Sequence, residues 1–206
     1  MEKPSDYQSK NPVQKRSQRT RQKILNAAMA QIAEVGFEKT NTNLIADMAE
    51  VSIGTIYVHF KDKSEIFLTI LDEFLQNVYD NLSRGIDEIQ KKGLEMAEIV
   101  EWLIRVLYQE HQLNGGLNLE IAKFVLKDQR AADLRAFWNQ KMDSAVIRLV
   151  EPYMDQILIR DIDTGIVVAN RSTHQVFQYL YKNKGRVNEN AILEEFTDMI
   201  KRYLGA

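Results

Sequence analysis

Apolar residues recur every three or four positions along most of this chain, and the stretches that carry that period are separated by glycine or short polar runs. From Ser17 the set Ile24, Leu25, Ala28, Met29 and Ile32 has helical spacing and stops at Gly36, a residue suited to the left-handed conformation that ends a helix. Two short segments follow. Leu44, Ile45, Met48 and Ala49 share one face behind a cap at Asn41 or Thr42, and Ile53 to Phe60 follows a cap at Ser52, with a turn at Glu50 and Val51 between them. A long amphipathic rod starts near Asp62, carries apolar residues from Ile66 to Ile89, and is closed by Lys91-Lys92-Gly93.

The pattern predicts further helices from Leu94 to Leu113, from Leu117 to Lys127, and from Arg130 to about Ile159, with Pro152 kinking or splitting the last. Another runs from Ile166 to about Tyr181, capped by Asp161 or Asp163. The final one places Ile192, Phe196, Met199, Ile200, Tyr203 and Leu204 on a single stripe. Nine helices are expected, and no segment alternates with period two for long, so the fold class is all-α.

Composition narrows the function. At 206 residues, 45% hydrophobic and 27% charged, the chain suits one or two globular domains. Without cysteine there is no disulfide scaffold, Cys-ligated zinc or thiol nucleophile, and a cytoplasmic location is expected. The polar N-terminus lacks the apolar core of a signal peptide, and no stretch reaches the ~20 apolar residues of a bilayer span, so no membrane partner is expected. The net charge of −2 is uneven: residues 1–63 hold ten Lys/Arg and seven Asp/Glu, concentrated as a basic arm over 1–16 and the start of the first helix. Such a cluster suits nucleic-acid contact or a solvated tail.

Two short helices joined by a tight turn match a helix-turn-helix, here over about 41–60, whose second helix would enter the DNA major groove. Ser52, Gly54, Thr55, Tyr57, His59 and Lys61 offer hydroxyl, imidazole and ammonium groups, and a glycine for close approach, within two turns. A solvated surface helix pair is the plain alternative. Catalysis has no support: His59, His111 and His174 are scattered, HExxH, GxGxxG, P-loop and GxSxG motifs are missing, and Glu88, Glu95, Glu98 and Glu101 read as a solvated face. No metal site, catalytic residue or cofactor is expected.

The run from Thr40 to Lys63, with Ile45-Ala46, Val51-Ser52, Gly54-Thr55, Tyr57, His59-Phe60 and Lys63 in register, resembles the N-terminal signature of the tetracycline-repressor (TetR/AcrR) family of bacterial transcription regulators. The resemblance covers about residues 17–75 and is architectural beyond them. It implies a three-helix DNA-binding domain over 17–75 and a larger ligand-binding and dimerisation domain over 76–206. It further implies DNA contacts by Thr42 and Asn43 from the second helix, by Ser52, Ile53, Gly54 and Thr55 from the third, and phosphate contacts by Tyr57, His59 and Lys63. Ala46, Met48, Val51, Ile56 and Phe60 are then the small core. Glu50 stands where glycine is frequent, so either it is strained in the left-handed region or the turn differs.

The function expected is a homodimeric repressor that binds a palindromic double-stranded DNA operator and releases it when a small hydrophobic molecule binds the second domain. The alternative is a helical protein-interaction module without sequence-specific DNA binding. The apolar stripes of the last two helices predict a dimer through Val176, Phe177, Leu180, Ile192, Phe196, Met199, Ile200 and Tyr203. Eleven of the eighteen aromatic residues lie beyond Gly93. Trp102, Tyr108, Phe124, Phe137 and Trp138 are the candidate pocket walls, with His111 and His174 as orienting groups, or else an ordinary aromatic core.

Overall fold

A computed structural model describes residues 15–205. Among them there are nine α-helices, a 3-10 turn and no strand: α1 (Lys15–Val35), α2 (Thr42–Met48), α3 (Ile53–His59), α4 (Lys63–Gln90), α5 (Met96–Leu113), α6 (Gly115–Val125), α7 (Gln129–Val150), the 3-10 turn Glu151–Tyr153, α8 (Ile162–Lys182) and α9 (Glu189–Leu204). The fold class is all-α, as its periodicity implies. Residues 1–14 of the expected basic arm lie outside the described residues, while its last two positions belong to α1.

The helix ends follow from capping chemistry. Asn41 rather than Thr42 caps α2, accepting the Asn43 N–H at 2.8 Å, and Ser52 caps α3 by accepting the Thr55 N–H at 3.1 Å. Asp161 caps α8 through the N–H and the hydroxyl of Thr164, which holds its carboxyl below the usual range and starts α8 four residues before Ile166. Pro152 ends α7 instead of kinking a longer helix: α7 stops at Val150 and Pro152 sits in the following 3-10 turn.

The chain forms two compact units. The first runs to Asn77 and also takes in Gly116–Trp138; the second comprises Val78–Gly115 and the chain from Asn139 onward. The segment Gly116–Trp138, expected in the second domain, therefore groups with the first. Its reason is aromatic packing. Phe37, after α1, stacks on Phe67 of α4 at 4.9 Å between centroids, and Phe124 of α6 meets both rings edge-on at 4.6 Å. Within this unit the indole N–H of Trp138 also donates to Asp72 at 2.8 Å, tying α7 to α4. The second unit buries a continuous core that includes Leu82 and Ile86 of α4, Ile99 and Ile104 of α5, Val146 and Leu149 of α7, Phe177 and Leu180 of α8, and Phe196 and Ile200 of α9. Helices α4 and α7 each run without a break from one unit into the other.

Candidate functional site

The first unit presents α3 as an outward ridge on a buried base. Ile56, His59 and Phe60 face inward, whereas Ser52, Ile53, Gly54, Tyr57 and Val58 are exposed and Thr55 is half-buried. On α2, Ile45, Ala46 and Ala49 are buried, Asn43 is exposed and Thr42 half-buried. Met48 corrects the expected core, being 44% exposed, because a seven-residue helix turns only one narrow face to its neighbours and Ile45, Ala46 and Ala49 fill it.

The turn between the helices resolves the question at Glu50. Its φ is +56°, so the non-glycine residue does occupy the left-handed region; the backbone hydrogen bonds from Glu50 to Asp47 and from Val51 to Ala46 hold it there. Its carboxylate meets Lys23 of α1 at 3.4 Å, an exposed pair that offsets part of the negative charge beside the α2–α3 turn.

Two expected phosphate contacts sit differently from an exposed grip. His59 is only 6% exposed; burial, and then the nearby Arg21 guanidinium, hold its imidazole below the ordinary value, so it is neutral at physiological pH. Arg21 itself is drawn inward, bonded to Glu73 at 2.9 Å and lying over the Phe60 ring. Lys63 donates to three main-chain carbonyls, those of Phe37, Glu38 and Thr40, at 2.9, 3.3 and 3.1 Å, which uses all three ammonium hydrogens. Tyr57, at 52% exposure, keeps an outward position. Exposed cations of the unit include Arg16, Arg19, Lys23, Lys39 and Lys61. Sequence reasoning missed Val58, 61% exposed on α3, although its place four residues after Gly54 marks the same outward face.

The seven candidate pocket residues divide between the units. Phe124, Phe137 and Trp138 belong to the first and are buried. In the second, the Tyr108 hydroxyl donates to Glu189 at 2.7 Å and accepts from Gln112 at 2.6 Å, and burial followed by the bond to Glu189 pushes its pKa up to about 12. The Tyr108 ring meets Phe177 edge-on at 5.3 Å, while His111 lies 5.8 Å from His174 and 6.4 Å from Tyr181. Trp102 packs against Gly85, where an added methyl would come within 2.6 Å of the indole. A cleft of about 500 Å³ in this unit lies between α5 and α9, over Ile104 and Leu193, with Tyr108 at its wall and Glu101, Arg105, Asp198 and Lys201 around it. Tyr108 alone of the seven lines it.

The proposed dimer residues also divide. Phe177, Leu180, Phe196 and Ile200 are at most 6% exposed and belong to the buried core of the second unit, which removes them from the surface. Met199 and Tyr203 on α9 are 50% and 39% exposed, and Val176 and Ile192 are half-buried. On α8, Val168 and Tyr179 are 47% and 48% exposed. No helix among the described residues is long and apolar enough to cross a membrane, and no cluster of three His, Cys, Asp or Glu suited to a metal ion occurs among them.

Residues 24–70 match the family described as bacterial regulatory proteins, tetR family. Over 119 residues the chain is 47% identical to the probable acrEF/envCD operon repressor of Escherichia coli strain K12, covering 50% of this chain and 53% of that protein. The chain thus spans about half the length of that relative. Two solved structures share the fold: GusR of Salmonella enterica, with a TM-score of 0.70 at 17% identity over 95% of this chain and 100% of that one, and the regulator FadR of Bacillus subtilis in complex with stearoyl-CoA, with a TM-score of 0.69 at 16% identity over 89% and 98%.

Proposed function

We propose that this chain, whose residues 24–70 match the tetR family of bacterial regulatory proteins, is a ligand-responsive transcriptional repressor that binds a palindromic operator as a homodimer. The observation that carries this reading is the outward ridge of α3, capped by Ser52 and seated on Ile56 and Phe60, inside the matched segment 24–70. A ridge so supported can enter a major groove without unfolding its own base, and exposed Lys and Arg side chains of the same unit supply attraction to phosphates. The E. coli relative is named an operon repressor, which supports repression as the outcome.

The dimer forms through the exposed apolar side chains of α8 and α9, Val168, Tyr179, Met199 and Tyr203, with Val176 and Ile192 beside them. Two copies give the two recognition helices that a palindrome needs. The effector is a small hydrophobic molecule held by the second unit. Its aromatic set of Tyr108, His111, His174, Phe177 and Tyr181 supports that class, and the FadR neighbour was solved with an acyl-CoA. Binding that favours one arrangement of the second unit acts on the first through α4 and α7, which are continuous across both, and shifts the population of DNA-competent dimers by the difference in affinity for the two states.

Anisotropy of a labelled duplex tests the reading. Binding should fall steeply with salt and should discriminate between duplexes. A helical protein-interaction module would bind none of them, or all of them weakly and alike.

A further inference from the structure

We propose that α3 reads its operator chiefly through the C5-methyl groups of thymine, using Val58 and Ile53 as the reading side chains. The inference rests on the DNA-binding reading above and names what that surface recognises.

Three observations carry it. At 100° per residue, Gly54 and Val58 stand at the centre of the outward face of α3, opposite buried Ile56 and His59, with Ile53 and Tyr57 on one flank. That face is mostly carbon: Val58 is 61% and Ile53 38% exposed. The hydroxyls beside it are partly committed to the cap. Ser52 Oγ accepts the Thr55 N–H and lies 2.9 Å from Thr55 Oγ1, so one of the two hydroxyl protons is spent between them. His59 is buried, which leaves Tyr57 as the polar group on the exposed face. In the major groove the base-edge feature that an aliphatic side chain recognises is the thymine methyl.

The glycine is the third observation. Gly54 does not have a left-handed φ, and a methyl built there would meet only Ser52 Oγ, at an ordinary 3.7 Å. The protein's own packing thus has room for alanine, and glycine in a helix is unfavourable. Its value lies outside the protein: a bare backbone at the centre of the face lets α3 approach the base pairs until Val58, one turn on, reaches methyl depth.

The test begins with selection of binding sites from a random duplex library amplified by polymerase. Such DNA contains no methylcytosine, so any methyl read in an enriched site belongs to thymine. Thymines of the enriched half-site are then replaced one at a time by deoxyuracil, which removes the methyl and keeps the pairing. At one or more positions per half-site, affinity should fall about fourfold for each methyl that loses its apolar contact. Val58→Ala or Ile53→Ala should bring the thymine-to-uracil ratio at its own position toward one, with little change on the uracil duplex. Gly54→Ala should raise the melting temperature of the protein while weakening operator binding. Equal affinity for thymine and uracil duplexes overturns the proposal, as does a uracil penalty that persists undiminished in both valine and isoleucine variants, which would mark an effect of DNA shape. Failure of the selection to enrich any site defeats the DNA-binding reading itself, and this inference with it.

Discussion

The ammonium of Lys63 lies 2.9 Å from the carbonyl oxygen of Phe37 and 4.5 Å from the centroid of the same residue's ring. With its other hydrogens on the carbonyls of Glu38 and Thr40, it closes the loop between α1 and α2 from the start of α4. The same loop is gripped from α6, where Glu120 accepts the Phe37 N–H at 2.9 Å, and from the turn after it, where Lys127 pairs with Glu38. Lys63→Ala should therefore lower stability by about 2 kcal/mol, the scale of charge-assisted hydrogen bonds lost from a partly buried site. It should also weaken all duplexes alike, through the disordered approach to the Asn41 cap. Urea denaturation checks the first effect; unchanged stability with weakened binding would instead make Lys63 a direct phosphate ligand.

Glu50 holds a left-handed φ of +56°, which costs a non-glycine residue roughly 1–2 kcal/mol. Its pairing with Lys23 is exposed and offsets little of that. Glu50→Gly should stabilise the protein by about 1 kcal/mol and, by removing a carboxylate beside the α2–α3 turn, tighten binding to random duplex. A lower melting temperature in the variant would contradict the strain assigned to this turn.

His59 gives the pH dependence a sign. Its folded value is depressed, so the unfolded chain takes up the proton first: the stability it contributes is complete above its unfolded pKa of about 6.5 and is lost as the pH falls through that value toward the folded one. Denaturation midpoints measured from pH 7.5 down to about 5 should decline in the wild type more than in His59→Phe. Identical slopes would show that the imidazole titrates alike in both states.

On α9, Met199 and Ile200 are neighbours with opposite surroundings, 50% and 5% exposed. Met199→Asp or Tyr203→Asp should yield a folded single chain by light scattering, whereas Phe196→Asp should unfold the protein by placing a charge in the core. If Met199→Asp and Tyr203→Asp together leave the two-chain mass intact, the dimer uses another face.

Much of this was legible in the sequence because helix ends are local. Asn41, Ser52, Asp161 and Gly36 act on their nearest neighbours, and each stands where its chemistry places it. What was illegible depends on partners distant in the chain. The periodicity of α9 could not separate Phe196 and Ile200, which go inward, from Met199 and Tyr203, which do not, because the stripe is wider than one neighbouring surface. The grouping of Gly116–Trp138 with the first unit hangs on the contact of Phe124 with Phe37 and Phe67, 87 and 57 residues earlier in the chain. It also means that Trp102 and Trp138 fall in different units, so intrinsic fluorescence reports on both and a Trp138→Phe variant is needed to follow the second alone. The turn at Glu50 was legible only as a choice, since side-chain identity disfavours a left-handed φ but the surrounding hydrogen bonds impose it.

Sequence-selective duplex binding is the central claim, and competition anisotropy addresses it most directly: the full chain is bound to a duplex enriched from a random library and displaced by that duplex or by a shuffled one of equal length, at about 0.15 M salt. The account predicts two chains per palindromic duplex and a preference of about a thousandfold or more for the enriched sequence, reduced by substitutions on the outward face of α3. Equal displacement by the two competitors would contradict it.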